Sequence, residues 1–166
     1  MYLDRAKERF LEFCQTVSKY HNPSSPYIPV PSSEGEIKAM EKTLNLSFPA
    51  AYQEFLLWMG KGAGSFMDSY VCVLRTLPRN KEDAIELMEG DACTDILPKD
   101  AIVFAWGNQG CYFSFIRASE GDNPPVHDYD EGKGITWNAD PNLETFVIRY
   151  IDDFQKYILK LKNVVK

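Results

Sequence analysis

Two short runs rich in aromatic and β-branched residues, Ala101 to Trp106 and Cys111 to Arg117, flank Gly107-Asn108-Gln109-Gly110. Four intervening residues leave the second run little room except to fold back along the first, so the pair predicts a β-hairpin. Weaker strand patterns follow at Val126 to Tyr129 and Ile135 to Trp137, with Asp130-Glu131-Gly132-Lys133-Gly134 turning between them. A further run, Tyr70-Val71-Cys72-Val73-Leu74, has the composition of a buried strand.

Helical periodicity surrounds these strands. Leu3, Ala6, Phe10, Phe13, Val17 and Tyr20 recur at spacings of three and four, which predicts an N-terminal helix over residues 1–22 closed by His21-Asn22-Pro23. The next stretch, 23–31, is proline-rich and predicts an extended tether to the main body over residues 32–162. Ser33 and Glu36 have capping-box spacing ahead of Ile37, Met40 and Leu44. Pro49 suits the first turn of another helix, with Tyr52, Phe55, Leu56 and Met59 on its apolar face and Gly60 as its cap. Asn80 is positioned to cap a short helix carrying Ala84, Ile85, Leu87 and Met88. A last helix opens at Asp140-Pro141, its apolar stripe running from Leu143 to Leu161. Consecutive hairpin strands between helices give an α+β fold, a mainly antiparallel sheet of about 4 to 6 strands flanked by helices. At 166 residues the chain suits one compact domain.

Several kinds of chemistry are disfavoured by the residues present. The net charge of −6 argues against direct nucleic-acid binding, which depends on Lys and Arg neutralising phosphates. The charged start, Met1 to Arg9, has no apolar leader, and no run approaches the roughly 18 apolar residues of a membrane span. The expectation is a cytoplasmic chain whose cysteines, Cys14, Cys72, Cys93 and Cys111, stay reduced. They form no C-x-x-C pair, and two histidines, His21 and His127, exclude multi-histidine metal sites. Gly60-Lys61-Gly62-Ala63-Gly64-Ser65 lacks the order and the strand-to-helix context of a phosphate loop and reads as a cap and turn. A Cys111–His127–Asp128 arrangement can be drawn, but adjacent strand residues point to opposite faces and would not meet at one site. The carboxylates of Asp128, Asp130 and Glu131 read as a solvated acidic rim ahead of a cation or acid–base site. No catalytic residue, metal or cofactor is therefore expected, and the chain is not expected to be an enzyme. Among Trp58, Trp106 and Trp137, the residue beside the hairpin turn, Trp106, is the one expected to be partly exposed.

The order of motifs resembles a known family. The stretch from Ser32 to Glu41, then Phe48-Pro49-Ala50-Ala51-Tyr52-Gln53-Glu54-Phe55-Leu56 and the glycine cluster, is similar to the opening of SMI1/KNR4 (SUKH) domains. Val103 to Gly107, Cys111 to Phe115 and Asn123 to Tyr129 continue the resemblance in the family's order, over about residues 30 to 155. The N-terminal helix lies outside it. The resemblance implies a SUKH-like fold and a non-catalytic, protein-binding role. Many bacterial members neutralise a cognate polymorphic or contact-dependent toxin, often a nuclease, and others are regulatory scaffolds, including fungal cell-wall regulators. It supplies no catalytic residues and no fixed binding surface. Candidate contacts thus come from local chemistry: Phe66, Asp68, Trp106, Asn108, Gln109, Asp128, Tyr129, Asp130 and Glu131. An acidic, aromatic surface of this kind suits a basic partner such as a nuclease cleft.

Overall fold

The computed structural model describes residues 1–18, 27–66, 72–91, 94–107 and 110–164. Its four strands are β1 (Ala101–Gly107), β2 (Tyr112–Arg117), β3 (Val126–Asp130) and β4 (Gly134–Asp140). They pair in sequence order and all antiparallel, as successive hairpins dictate. Helices α1 (Asp4–Val17), α2 (Glu34–Leu44), α3 (Ala50–Met59), α4 (Leu77–Gly90) and α5 (Leu143–Val164) surround them. The α+β arrangement is the expected one.

The edge strand β4 is mostly exposed, whereas both faces of β1, β2 and β3 are covered. On one, Ile102, Phe104, Ile116 and Val126 join α1, α3 and α5 in a large apolar cluster. On the other, Ala101, Val103, Phe113, Phe115 and Tyr129 pack on Ala84 and Met88 of α4. A register shift between Val103 and Ala105 sets the change of face along β1. The extra residue lets Phe104 and Ala105 both join the larger cluster and returns Trp106 to the α4 side. Beside this bulge, Asn80 Nδ2 donates to the Val103 carbonyl at 3.1 Å, and Trp106 Nε1 donates to the Asn80 carbonyl at 3.2 Å.

Asn80 thus has a different role from the expected cap. Pro78 occupies the first turn of α4, where a missing N–H costs nothing, and the helix already begins at Leu77. Asn80 lies inside it, buried against β1. The strand expected from Tyr70 to Leu74 is also corrected over its described part. Cys72 and Val73 form no ladder, and Leu74 opens a 3₁₀ turn whose first N–H goes to the Gly60 carbonyl at 2.8 Å. Tyr70 and Val71 lie outside the described residues.

The other helical expectations hold with two corrections. Asp140 ends β4 and α5 opens only at Leu143, where Asn142 accepts from the Thr145 N–H at 2.9 Å. Pro49 precedes α3 instead of lying in its first turn. Ser33 Oγ accepts from the Glu36 N–H at 3.3 Å while Glu36 accepts from the Ser33 N–H at 2.8 Å, which completes the capping box. Glu36 also pairs with Lys61 at 2.8 Å, and this pairing, together with the cap bonds, lowers its carboxyl pKa to about 2. Helix α1 ends at Val17, and Tyr20 lies outside the described residues. Phe10 and Phe13 of α1 enter the large cluster, where Phe13 meets Phe66 at 5.7 Å and Phe154 of α5 at 5.8 Å. Arg9 pairs with Asp152 of α5 at 2.7 Å and Lys7 with Glu54 of α3 at 2.5 Å. Tyr27 packs on Phe13, and Val30 exchanges backbone bonds with Lys61 and Gly62. Helix α1 and the stretch 27–31 are therefore tied to the body by rings, ion pairs and backbone bonds.

Phe13 and Phe55 are both buried, so replacing either with alanine removes a large apolar side chain and leaves a void. Each substitution should cost about 3 to 5 kcal/mol in urea unfolding. An unchanged midpoint for Phe13→Ala would show that α1 is dispensable to the core. The Glu36 carboxyl, depressed below its ordinary 4.5, stabilises the fold above that pH and loses its contribution as pH falls toward about 2. Glu36→Gln should thus lower the thermal midpoint at neutral pH, with the difference from the parent closing across that acidic window.

Candidate binding surface at the acidic end of the sheet

Antiparallel pairing in sequence order brings the β1–β2 loop and the β3–β4 turn to the same end of the sheet. The Glu131 N–H donates to the Cys111 carbonyl at 3.0 Å and ties them together. The C-terminal end of α4 reaches this end as well. There Asp91 accepts from the Tyr129 hydroxyl at 2.6 Å and from the Gly132 N–H at 2.8 Å. These two donors, the hydroxyl foremost, hold the Asp91 carboxyl below the ordinary carboxylate range. Asp95 accepts from the Ile135 N–H at 2.8 Å, and Asp130 pairs with Lys133. Asp91, Asp95, Asp130 and Glu131 are thereby gathered around one hairpin.

An apolar hollow adjoins them. Ile85, Met88, Glu89, Asp95, Ile96 and Leu97 line a depression of about 330 Å³. Ile96 is 85% exposed and Ile85 42% exposed, while Glu89 is exposed on the last turn of α4. Neither isoleucine stands out in the sequence: Ile85 falls on a helix face, and Ile96 sits in an irregular stretch with no periodic neighbours. An isoleucine between Asp95 and Leu97-Pro98 in such a stretch was the available signal.

The candidate residues separate by strand alternation. Tyr129 is fully buried: its ring stacks on Phe113 at 4.9 Å, so it cannot be the exposed aromatic anchor expected of it. It acts from beneath, orienting Asp91. Phe66 is likewise buried, inside the cluster of Phe10, Phe13, Tyr150 and Phe154, and drops out as a contact. Asp128 turns to the α5 side, where it accepts from Ser114 Oγ at 2.6 Å and lies 3.7 Å from Arg149. Arg149 is held in turn by Asp140 at 2.6 Å. Asp128 therefore belongs to a polar network between sheet and helix. Asp130 and Glu131 remain at the accessible turn, and Trp106 is half-buried against Phe113, as Trp58 is half-buried too; the exposed tryptophan is instead Trp137, on edge strand β4. Asp68, Asn108 and Gln109 lie outside the described residues.

The Cys111–His127 pair is not assembled. His127 Nδ1 accepts from the Asn138 N–H at 3.0 Å, which leaves Nε2 to donate to Glu120 at 2.9 Å. Cys111 faces Glu131 instead. That hydrogen bond, followed by burial and the nearby carboxylate charges, pushes the thiol pKa up and disfavours the nucleophilic thiolate. Among the described residues no group of three or more His, Cys, Asp and Glu side chains could hold a metal ion. None of the described helices is long and apolar enough to cross a membrane.

No curated protein matches the chain. Residues 34–147 match the family model described as SMI1-KNR4 cell-wall, of the SUKH group. The matched stretch begins with the capping-box helix α2 and contains α3, α4 and the whole sheet, ending just inside α5; α1 lies outside it. With most of its length and its entire sheet inside that match, the chain belongs to the SMI1/KNR4 (SUKH) family.

Proposed function

We propose that this chain is a non-catalytic binding domain that acts as an immunity protein, occluding a cognate toxin domain with a basic cleft, as a nuclease has. The observation that carries this reading is the acidic end of the sheet beside the Ile85–Ile96 hollow. Carboxylates around an apolar depression supply the two terms a protein interface needs: charge that steers encounter and apolar area that slows separation. A nuclease presents Lys and Arg to phosphate, so its cleft meets complementary charge here. Occlusion alone inhibits it and needs no reacting group, in keeping with a His127 engaged at both ring nitrogens and a Cys111 thiol whose pKa is pushed up. This role places the protein in the cytoplasm, where such a toxin acts. The second reading is a regulatory scaffold for an endogenous protein, favoured by the cell-wall description of the matched family.

The two readings separate on what the intact chain captures from its native cell. A captured protein that arrests growth when expressed without this chain supports immunity; a captured housekeeping protein supports the scaffold. Against that partner, the triple variant Glu89→Lys, Asp130→Lys, Glu131→Lys should slow association about tenfold or more at low salt and flatten its salt dependence. Ile96→Ala should mainly speed dissociation. An association rate unaltered by the triple variant would remove the acidic end as the recognition surface.

A further inference from the structure

A second concave site lies beneath α2, well apart in sequence from the acidic end. It is a cleft of about 450 Å³, a volume within the range that small-molecule ligands occupy. Ala39 and Met40 of α2 line it together with Val73 and Leu74, and these give it apolar walls. It exists because α2 packs loosely: Ile37 is its one fully buried side chain among the described residues, while Met40 and Leu44 are half-buried.

The polar groups of the cleft are unevenly satisfied. Lys61 and Glu36 pair with each other at its edge and cancel. Arg75, exposed and also part of the lining, has no ion-pair partner among the described residues, so the described lining carries two cations against one carboxylate. Ser32 is 3% exposed and lines the cleft, and its hydroxyl is the one buried side-chain polar atom without a hydrogen bond among the described residues. Gly60 packs against it: an alanine Cβ at this position would lie 2.4 Å from Ser32 Oγ and 2.5 Å from the Leu56 carbonyl oxygen. A hydroxyl left unpaired at an apolar site is costly, whereas one that meets a ligand group discriminates strongly in its favour.

We infer that this cleft binds a small amphipathic carboxylate whose acid group pairs with Arg75, whose apolar body lies on Met40 and Leu74, and whose second polar group bonds Ser32. The inference is independent of the protein-binding role proposed above, and none of its residues belongs to the acidic end.

Three probes of equal chain length separate the contributions: ω-hydroxydecanoate, decanoate, which lacks the hydroxyl, and decane-1,10-diol, which lacks the charge. Amide shifts of the full chain at Ser32, Thr43, Lys61 and Val73 should saturate with ω-hydroxydecanoate at low-millimolar concentration or below. Decanoate should bind roughly two- to twelvefold more weakly, the range of one neutral hydrogen bond, and the diol about tenfold or more weakly, for loss of a charged one. Ser32→Ala should make the two acids equivalent without lowering the thermal midpoint of the free protein, since no internal bond is lost. Arg75→Glu should weaken both acids about tenfold and leave the diol unchanged. Absence of saturation, equal binding of diol and acids, or a lowered midpoint in Ser32→Ala with no change in binding would overturn the assignment.

Discussion

Strand β2 cannot be satisfied from one side. Its four inner residues, Phe113 to Ile116, are all buried, so side chains on both faces of the pleat require cover. Phe113 and Phe115 turn to α4, whereas Ile116 turns to the cluster that α1, α3 and α5 close. Ser114, between them, is a hydroxyl in a fully buried position. Its bond to Asp128 removes the penalty but creates a second requirement, because Asp128 is itself largely withdrawn from water. Arg149 meets that need from α5, bidentate on Asp140 and above the ring of Phe146 at 5.4 Å. The hydrogen bonds and charge of Asp140, with Asp128 beyond, hold the guanidinium firmly protonated. One buried serine thus ties β2, β3, β4 and α5 through a chain of polar contacts.

Covering both faces of β1 to β3 leaves the exposed edge strand β4, from Thr136 to Ala139, and the ends of the sheet as the places where side chains reach solvent from a rigid support. The bulge at Phe104 makes that support work, since it returns Trp106 to the α4 side and lets Asn80 clamp the helix to β1. Helix α4 then delivers Asp91 to the β3–β4 turn, where buried Tyr129 fixes it from below. At the acidic end Asp91 is thus placed by a core tyrosine and Asp95 by the Ile135 N–H of β4, beside the exposed Glu131. A fixed charge pattern loses less entropy on docking than one carried on free loops.

Much of this was legible before any coordinates. The faces of α1 and α3, the capping box of α2 and the succession of hairpins follow from spacing alone, because periodicity reports which side of an element is buried. It does not report what that side meets. Helix α1, joined through a proline-rich stretch, reads like an appendage, yet Phe10 and Phe13 are shared with α3 and α5 in one cluster. The acidic run from Asp128 to Glu131 was visible as charge, but β3 extends to Asp130, and alternation along it sends Tyr129 inward and Asp128 toward α5. Phe66, beside a glycine cluster, looked like a loop aromatic and proved to be core. Asn80 has the chemistry of a cap and serves a carbonyl that only tertiary packing brings near. In each case local chemistry was right and the partner was non-local.

Hydrogen exchange of the intact chain, free and bound to the partner it captures, tests the central claim most directly. The account predicts added protection centred on the last turn of α4, the stretch around Asp95 and Ile96, and the β3–β4 turn at Glu131, with the α1–α5 face unchanged. Protection confined to α1 and α5, with the acidic end exchanging as in the free protein, would contradict it.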